Sequence, residues 1–177
     1  MRQLLLMRHA KSSWDDARLS DHARPVNTRG RLSALAMRRA MRDLGLVPDV
    51  VLVSSARRTL QTLEALEPWE RIPLIEPMDA LYLAPLDQMF EVLHKVDDKA
   101  RSVLLLGHNP GMHELALALL GARAEDYANA DARRLAEGYP TGALAEFAIP
   151  GLWTELAAGG GHLTRFLSPR DLPEMAV

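Results

Sequence analysis

The sequence predicts an α/β fold, a three-layer α/β/α sandwich with a largely parallel central sheet, on three observations. Short apolar runs alternate with longer stretches of helical period, the pattern made when helices cover a parallel sheet. Three of those runs, residues 3–7, 50–53 and 102–106, are near-continuous Leu and Val, as strands buried on both faces should be. The length of 177 residues suits one domain with a single core and is short for two, so residues 1–177 are expected to form one domain.

Taken in order, the strand at 3–7 runs directly into Arg8-His9. Leu32, Leu35, Ala36, Ala40 and Leu44 then recur at helical spacing, and Gly45 stands where a left-handed C-terminal cap is wanted. The strand at 50–53 leads to Ser54-Ser55, with Ser55 expected as the N-cap of a helix whose second and third positions are Arg57 and Arg58. Leu86, Phe90 and Leu93 mark the next helix. The strand at 102–106 enters Gly107-His108-Asn109-Pro110, ahead of a helix marked by Met112, Leu115, Ala116 and Leu119. Asn109 is its expected N-cap, Pro110 its first residue, and Gly121 lies just past its end. Residues 123–138 are polar and read as a loop with a helical turn near 131–135. Residues 143–149, 152–156 and 162–167 are expected to be shorter strands extending the sheet at an edge. Pro150-Gly151 and Gly159-Gly160-Gly161 separate them; the glycine triplet lacks the Gly-Lys-Ser/Thr ending of a P-loop and reads as a turn.

Composition excludes several functions. With 48% hydrophobic and 25% charged residues the chain has the make-up of a soluble globular protein. Its longest apolar runs are far short of a membrane span, and the N-terminal one is too short for a signal peptide and broken by Arg8-His9. A cytoplasmic location without membrane contact is expected. The absence of cysteine removes disulfides, thiolate catalysis and Cys-based zinc sites. A formal charge of −2 offers no field for nucleic acid, and Arg38-Arg39 reads as a solvated helix face. No nucleic-acid partner is expected.

The informative feature is where the cations fall. The three strands end in Arg8-His9, in Ser54-Ser55 followed by Arg57-Arg58, and in Gly107-His108. If the strands are parallel, these ends open on one edge of the sheet, where open α/β sheets bind ligands. His9, His108, Arg8 and Arg58 would then converge. Cations in the first turn of a helix oppose its dipole, and a broken local preference often marks a functional site. A bound anion reverses the sign, and both helix N-termini and guanidinium groups suit phosphate. His22, His94, His113 and His162 lack such placement and are expected to be structural or exposed. A zinc site on His9, His108 and His113 lacks the His-Glu-x-x-His spacing and would face the charge of Arg8 and Arg58, so no metal is expected.

These residues resemble a known family. Arg8-His9 after a strand, Ser54-Ser55-Ala56-Arg57-Arg58-Thr59-Leu60-Gln61-Thr62 and Gly107-His108-Asn109-Pro110-Gly111 resemble the histidine phosphatase superfamily, whose fold is called phosphoglycerate mutase-like. The N-terminal MRHAKSSW, Pro25-Val26-Asn27-Thr28-Arg29-Gly30, Leu81-Tyr82-Leu83-Ala84, Pro140-Thr141-Gly142-Ala143 and Ser168-Pro169-Arg170-Asp171-Leu172 are similar to the small phosphohistidine phosphatases of the SixA type. The resemblance implies a metal-independent phosphatase without cofactor, in which His9 attacks phosphorus in line and becomes phosphohistidine. Arg8, Arg58 and His108 would clamp the phosphoryl oxygens, Arg58 being the match because it stands three residues before Gln61. Adjacent cations would keep His9 neutral and nucleophilic. The implied partner is a phosphorylated substrate, a phosphohistidine protein of the phosphotransfer kind. A small-molecule phosphomonoesterase is the alternative enzyme, and a non-catalytic phosphate-binding module the alternative from another class.

The chain departs from many relatives in one respect. Mutases and acid phosphatases of the superfamily carry a carboxylic acid that protonates the leaving alkoxide, often in the segment matching residues 79–84, and here no glutamate stands beside Tyr82. Asp79 and Glu76 are the carboxylates within reach. Imidazole is a less demanding leaving group than an alkoxide, which agrees with a phosphohistidine substrate. The chain also lacks the long insertions that cap the pocket in mutases, so an open pocket suited to a phosphoprotein is expected. Residues 12–25, with Trp14, Asp15 and Asp16, are expected either to fold over the site or to stay mobile.

Overall fold

The computed structural model describes residues 1–122 and 127–175. β1 (Arg2–Arg8), β2 (Val50–Ser54), β3 (Leu74–Met78), β4 (Ser102–Gly107), β5 (Leu144–Ile149) and β6 (His162–Leu167) form one sheet in the order β3-β2-β4-β1-β5-β6. The first four are parallel, and β5 and β6 add antiparallel to the edge beside β1. The core strands alternate with α1 (Thr28–Asp43), α2 (Arg57–Leu66), α3 (Leu86–His94) and α4 (Gly111–Leu120), and α5 (Ala130–Glu137) precedes β5.

The apolar runs are buried on both faces because successive side chains of a strand point to opposite sides. Leu4, Leu6, Val103 and Leu105 pack on one side with Leu93, Met112, Leu115 and Leu119 of α3 and α4. Leu5, Met7, Leu104 and Leu106 pack on the other with Met37 and Met41 of α1 and Leu63 and Leu66 of α2. The result is a three-layer α/β/α sandwich, as expected. Gly45 caps α1 with a φ of 69°, also as expected.

Several local expectations need correction. Ser55 is not a cap: α2 begins at Arg57 after Ala56, with no side-chain cap, so Arg57 and Arg58 are its first two residues. The Ser55 hydroxyl is drawn away by tertiary partners, donating to Asp79 Oδ1 at 2.5 Å and lying 3.0 Å from His22 Nε2. Asn109 is likewise not a cap; α4 starts at Gly111 after Pro110, and the Asn109 amide donates to Tyr139 O at 2.9 Å. Residues 152–156 form a 3₁₀ turn at Trp153–Glu155 rather than a strand. The apolar residues there anchor a turn: Trp153 is fully buried and its indole donates to Ala100 O at 2.8 Å, which an alternating edge strand would not permit. β3, unforeseen, carries Pro77 and is mostly exposed; only its pairing with β2 makes it a strand. α5 is longer than the single turn expected at 131–135, capped by Asn129, whose side chain accepts from Ala132 N at 2.7 Å. The rest of that expected loop, residues 123–126, lies outside the described residues. Among the described residues no helix is long and apolar enough to cross a membrane.

A close approach between α1 and the segment after β1 fixes the backbone next to His9. Asn27 caps α1 by accepting from Gly30 N at 2.8 Å, and its own N–H donates to Lys11 O at 2.9 Å. A Cβ at Gly30 would press on Lys11 O and lie 2.8 Å from Lys11 N, both backbone atoms that cannot yield cheaply. Gly30→Ala is therefore expected to cost about 2–3 kcal/mol. Gly45→Ala has open space and should cost only the left-handed backbone penalty of about 1–2 kcal/mol. Urea unfolding of the two variants measures the difference.

Candidate active site

β4 lies between β1 and β2, so the three parallel ends meet at one edge. The ladder continues one residue past β1, where His9 N donates to Gly107 O at 3.0 Å. This sets the rings of His9 and His108 side by side, centroids 5.2 Å apart. The chain then turns under α2, with Ala10 N donating to Thr62 Oγ1 at 2.9 Å while that hydroxyl donates to Arg58 O at 2.7 Å. Thr62 thus ties the His9 backbone to the helix that carries Arg58.

All four residues singled out in the sequence, Arg8, His9, Arg58 and His108, line one pocket of about 330 Å³ that lies open at the surface. Arg57 does not; its guanidinium donates to Ala23 O at 3.3 Å. Residues 12–25 fold against the site, tied by Ser13 N to Pro25 O at 2.8 Å, and supply Ser12, Trp14, Asp21 and Arg24 to the lining. Arg24 stacks beneath the exposed Trp14, its guanidinium carbon 3.2 Å from the ring centroid. Lys11 completes a set of four cations that, among the described residues, face a single carboxylate, Asp21.

Asp21 has no signature in the sequence, where nothing local distinguishes it from its acidic neighbours. Its carboxylate accepts from Arg58 Nη2 at 3.0 Å, from Arg24 Nη1 at 2.9 Å and from the Tyr82 hydroxyl, and its carbonyl accepts from Arg58 Nη1 at 2.7 Å. Led by the Tyr82 hydrogen bond, these partners hold the Asp21 carboxyl well below the usual range, so it is ionised at neutral pH. Burial and the bond to Asp21 push the Tyr82 hydroxyl up. Asp79 and Glu76, the carboxylates that the sequence put within reach, are not in the lining; Asp79 accepts from Ser55, and Glu76 is exposed on β3. His22 packs edge-on against Tyr82 at 4.8 Å, outside the lining, while His94 and His113 bond to Leu156 O and Leu135 O, both at 2.7 Å, and His162 is exposed.

The two pocket histidines are held neutral. Burial, and then the charges of Arg58, Arg8 and Arg24, push His9 down to about 4 despite a hydrogen bond to Ala10. Its Nδ1 lies 2.7 Å from Ala10 O and donates to it, which leaves the lone pair on Nε2. Burial, the neighbouring His9 and Arg58 push His108 down to about 3. Arg58 Nη2 donates toward His108 Nδ1 at 3.3 Å, so the His108 proton sits on Nε2 and is donated to Ser54 Oγ at 2.7 Å. Arg8 is steadied by its bond to Tyr139 O at 3.0 Å. The Nε atoms of Arg8 and Arg58 are buried without a hydrogen-bond partner. Orphaned buried donors are a cost of packing these two guanidinium groups into the pocket wall.

A hollow with this charge and these donors, at the carboxyl edge of such a sheet, suits an oxyanion. The chain belongs to the histidine phosphatase superfamily: the family model for its branch 1 matches residues 4–81. An uncharacterised Mycobacterium tuberculosis protein, Rv1276c, is 34% identical over 167 residues, covering 93% of this chain and all of the relative. Two solved structures, both provisionally named phosphohistidine phosphatase SixA, share the fold at similar length. That from Nakamurella multipartitia has a TM-score of 0.82 at 28% identity, covering 95% of this chain and 96% of its own. That from Agrobacterium tumefaciens has 0.79 at 27% identity, covering 95% and 98%. Family and neighbours together support phosphatase activity.

The depressed histidines set a pH dependence. Below pH 6.5 the unfolded chain takes up protons on these rings, whereas the folded chain refuses them until about 4 and about 3. Stability is thus complete above 6.5 and lost as pH falls, by about 1.4 kcal/mol per pH unit for each ring. Urea unfolding between pH 6 and 4.5 is expected to show a slope that His108→Asn lowers by about that amount.

Proposed function

We propose that this chain is a metal-independent phosphatase that hydrolyses phosphohistidine in a phosphotransfer protein, with His9 as its nucleophile. One feature of the site carries this reading: the lone pair of a neutral His9 shares the pocket with the guanidinium groups of Arg8 and Arg58, and the only carboxylate that the described residues bring to the pocket is held ionised. Donors for phosphoryl oxygens are in place, and among the described residues no neutral carboxyl group lines the pocket to protonate an alkoxide.

In the first half-reaction His9 Nε2 attacks phosphorus in line, and the P–N bond to the substrate imidazole breaks with its electron pair returning to that nitrogen. Imidazole leaves as a neutral base once its second nitrogen bears the proton, so no carboxylic acid is required. In the second, water attacks phospho-His9, the new P–N bond breaks, the pair returns to Nε2, and inorganic phosphate carries away the water's protons. Splitting the transfer replaces one hard step by two easier ones. Arg8 and Arg58 hold the equatorial oxygens with His108 beside them, and the two guanidinium groups supply the fixed positive charge that phosphoryl transfer needs. An arriving dianion also raises the proton affinity of His108, giving it a second N–H to donate.

The open pocket supports a macromolecular substrate. Its mouth is flanked by Trp14 and Leu83, 76% and 52% exposed, the latter with a φ of 49° that few residues other than glycine adopt. The likeness to two proteins named phosphohistidine phosphatase points the same way.

His9→Ala is expected to abolish the acid-labile phosphoenzyme and to lower turnover of p-nitrophenyl phosphate at least about a thousandfold, while still binding tungstate. Wild-type turnover should persist in excess chelator. A labelled adduct that survives in His9→Ala, or a faster reaction with sugar phosphates than with a phosphohistidine protein, refutes the proposal. Ser54→Ala strips His108 Nε2–H of its partner and should lower kcat/KM about tenfold, with near-normal yield of folded protein.

A further inference from the structure

Three stretches of the sequence, residues 25–30, 140–143 and 168–172, supply none of the four residues assigned to the phosphoryl chemistry. They meet in the fold. A second hollow, of about 190 Å³, is lined by Lys11, Arg29, Pro140, Thr141, Pro169 and Arg170 among others. It shares Lys11 and Thr141 with the active-site pocket, so the two adjoin.

Two close backbone approaches build it. The contact of Gly30 with the Lys11 backbone, reinforced by the bond from Asn27 N to Lys11 O, sets Arg29 of α1 beside Lys11. On the opposite wall Gly142 N donates to the carbonyls of Arg8 and His9, at 3.1 and 3.0 Å, and a Cβ on Gly142 would stand 2.9 Å from Pro169 Cγ. The turn that holds the His9 backbone therefore also fixes the segment bearing Arg170.

The cations of this hollow differ from those deeper in the pocket. Arg24 and Arg58 are paired with Asp21. Lys11, Arg29 and Arg170 are exposed, and among the described residues none forms an ion pair with a carboxylate. Asp171, next to Arg170, is engaged elsewhere, pairing with Arg134 and accepting from Ser168 N at 2.9 Å. Three cations without a counter-charge among the described residues, on a chain whose net charge is −2, border the place where the substrate must enter.

We propose that Lys11, Arg29 and Arg170 form a second anion subsite, which takes an acidic side chain close to the phosphohistidine on the substrate protein. This rests on the phosphohistidine reading. Screening limits the reach of exposed charges to about 8 Å in physiological salt, so the subsite responds to carboxylates seated in the hollow and not to the substrate's overall charge. It selects among phosphohistidine proteins by what lies beside the phosphoryl group.

The test uses two phosphohistidine peptides that differ only in having glutamate or glutamine around the phosphohistidine, with p-nitrophenyl phosphate as a third substrate. The wild type is expected to favour the glutamate peptide about tenfold in kcat/KM, through KM, and to lose that preference as salt rises. In the double variant Arg29→Gln/Arg170→Gln the preference should fall to within about twofold, and in Arg29→Lys/Arg170→Lys much of it should remain. Equal rates for the two peptides in the wild type, or an undiminished preference in the glutamine variant, overturn the subsite alone. Turnover of p-nitrophenyl phosphate with neither peptide hydrolysed overturns the phosphohistidine reading and the subsite with it.

Discussion

The hydrogen bond from His9 N to Gly107 O prolongs the β1–β4 ladder one residue beyond β1, and the site is built outward from it. It places His9 beside His108; β2, on the far side of β4, places Ser54 against His108. A slip of one residue in this pairing would turn every side chain of the strand to the other face. The alternation of Leu4 and Leu6 against Leu5 and Met7 forbids that slip, because each pair is buried in a different layer of helices. The apolar core thus does more than stabilise the sheet: it sets the register that puts two imidazoles together.

The same convergence has an electrostatic cost. Four cations line the pocket, Arg57 and Arg58 stand at the positive end of α2, and two guanidinium nitrogens are buried without partners. Asp21 offsets part of this, bridging Arg24 and Arg58, but one carboxylate leaves a surplus of positive charge. Burial and that surplus keep His9 and His108 unprotonated, which for His9 preserves a nucleophilic nitrogen. An anion in the pocket offsets the surplus charge, so binding and stability are coupled.

The site's chemistry also follows from what its acid cannot do. Asp21 lies in the pocket yet is bound to two arginines and the Tyr82 hydroxyl, a setting that favours its ionised form. It serves to orient Arg58 rather than to hand over a proton. The mouth of the pocket lies open between Trp14 and Leu83 and is bordered on one side by Lys11, Arg29 and Arg170, so on the phosphohistidine reading proposed above selectivity would fall to the surface around the phosphoryl group.

Much of this is legible from the chain alone. Runs of Leu and Val and the helical spacing between them identify the buried strands and their covering helices, since both depend on near neighbours, and the positions of Arg8, His9, Arg58 and His108 at strand ends follow from the parallel order. Cap residues are less legible: Ser55 and Asn109 have the right chemistry, but Asp79 and Tyr139 compete for their side chains from distant parts of the chain. The exposed edge strand β3 and the 3₁₀ turn that buries Trp153 have no periodic signature, because pairing with β2 and contact with Ala100 define them. Asp21, 37 residues from Arg58, has no local pattern that would place it. Patterns of burial and spacing are written locally and determined the layers and the edge where the histidines and arginines converge; the counter-charge, the pocket lining from residues 12–25 and the neighbouring basic hollow depend on loops packed against that edge from distant parts of the chain.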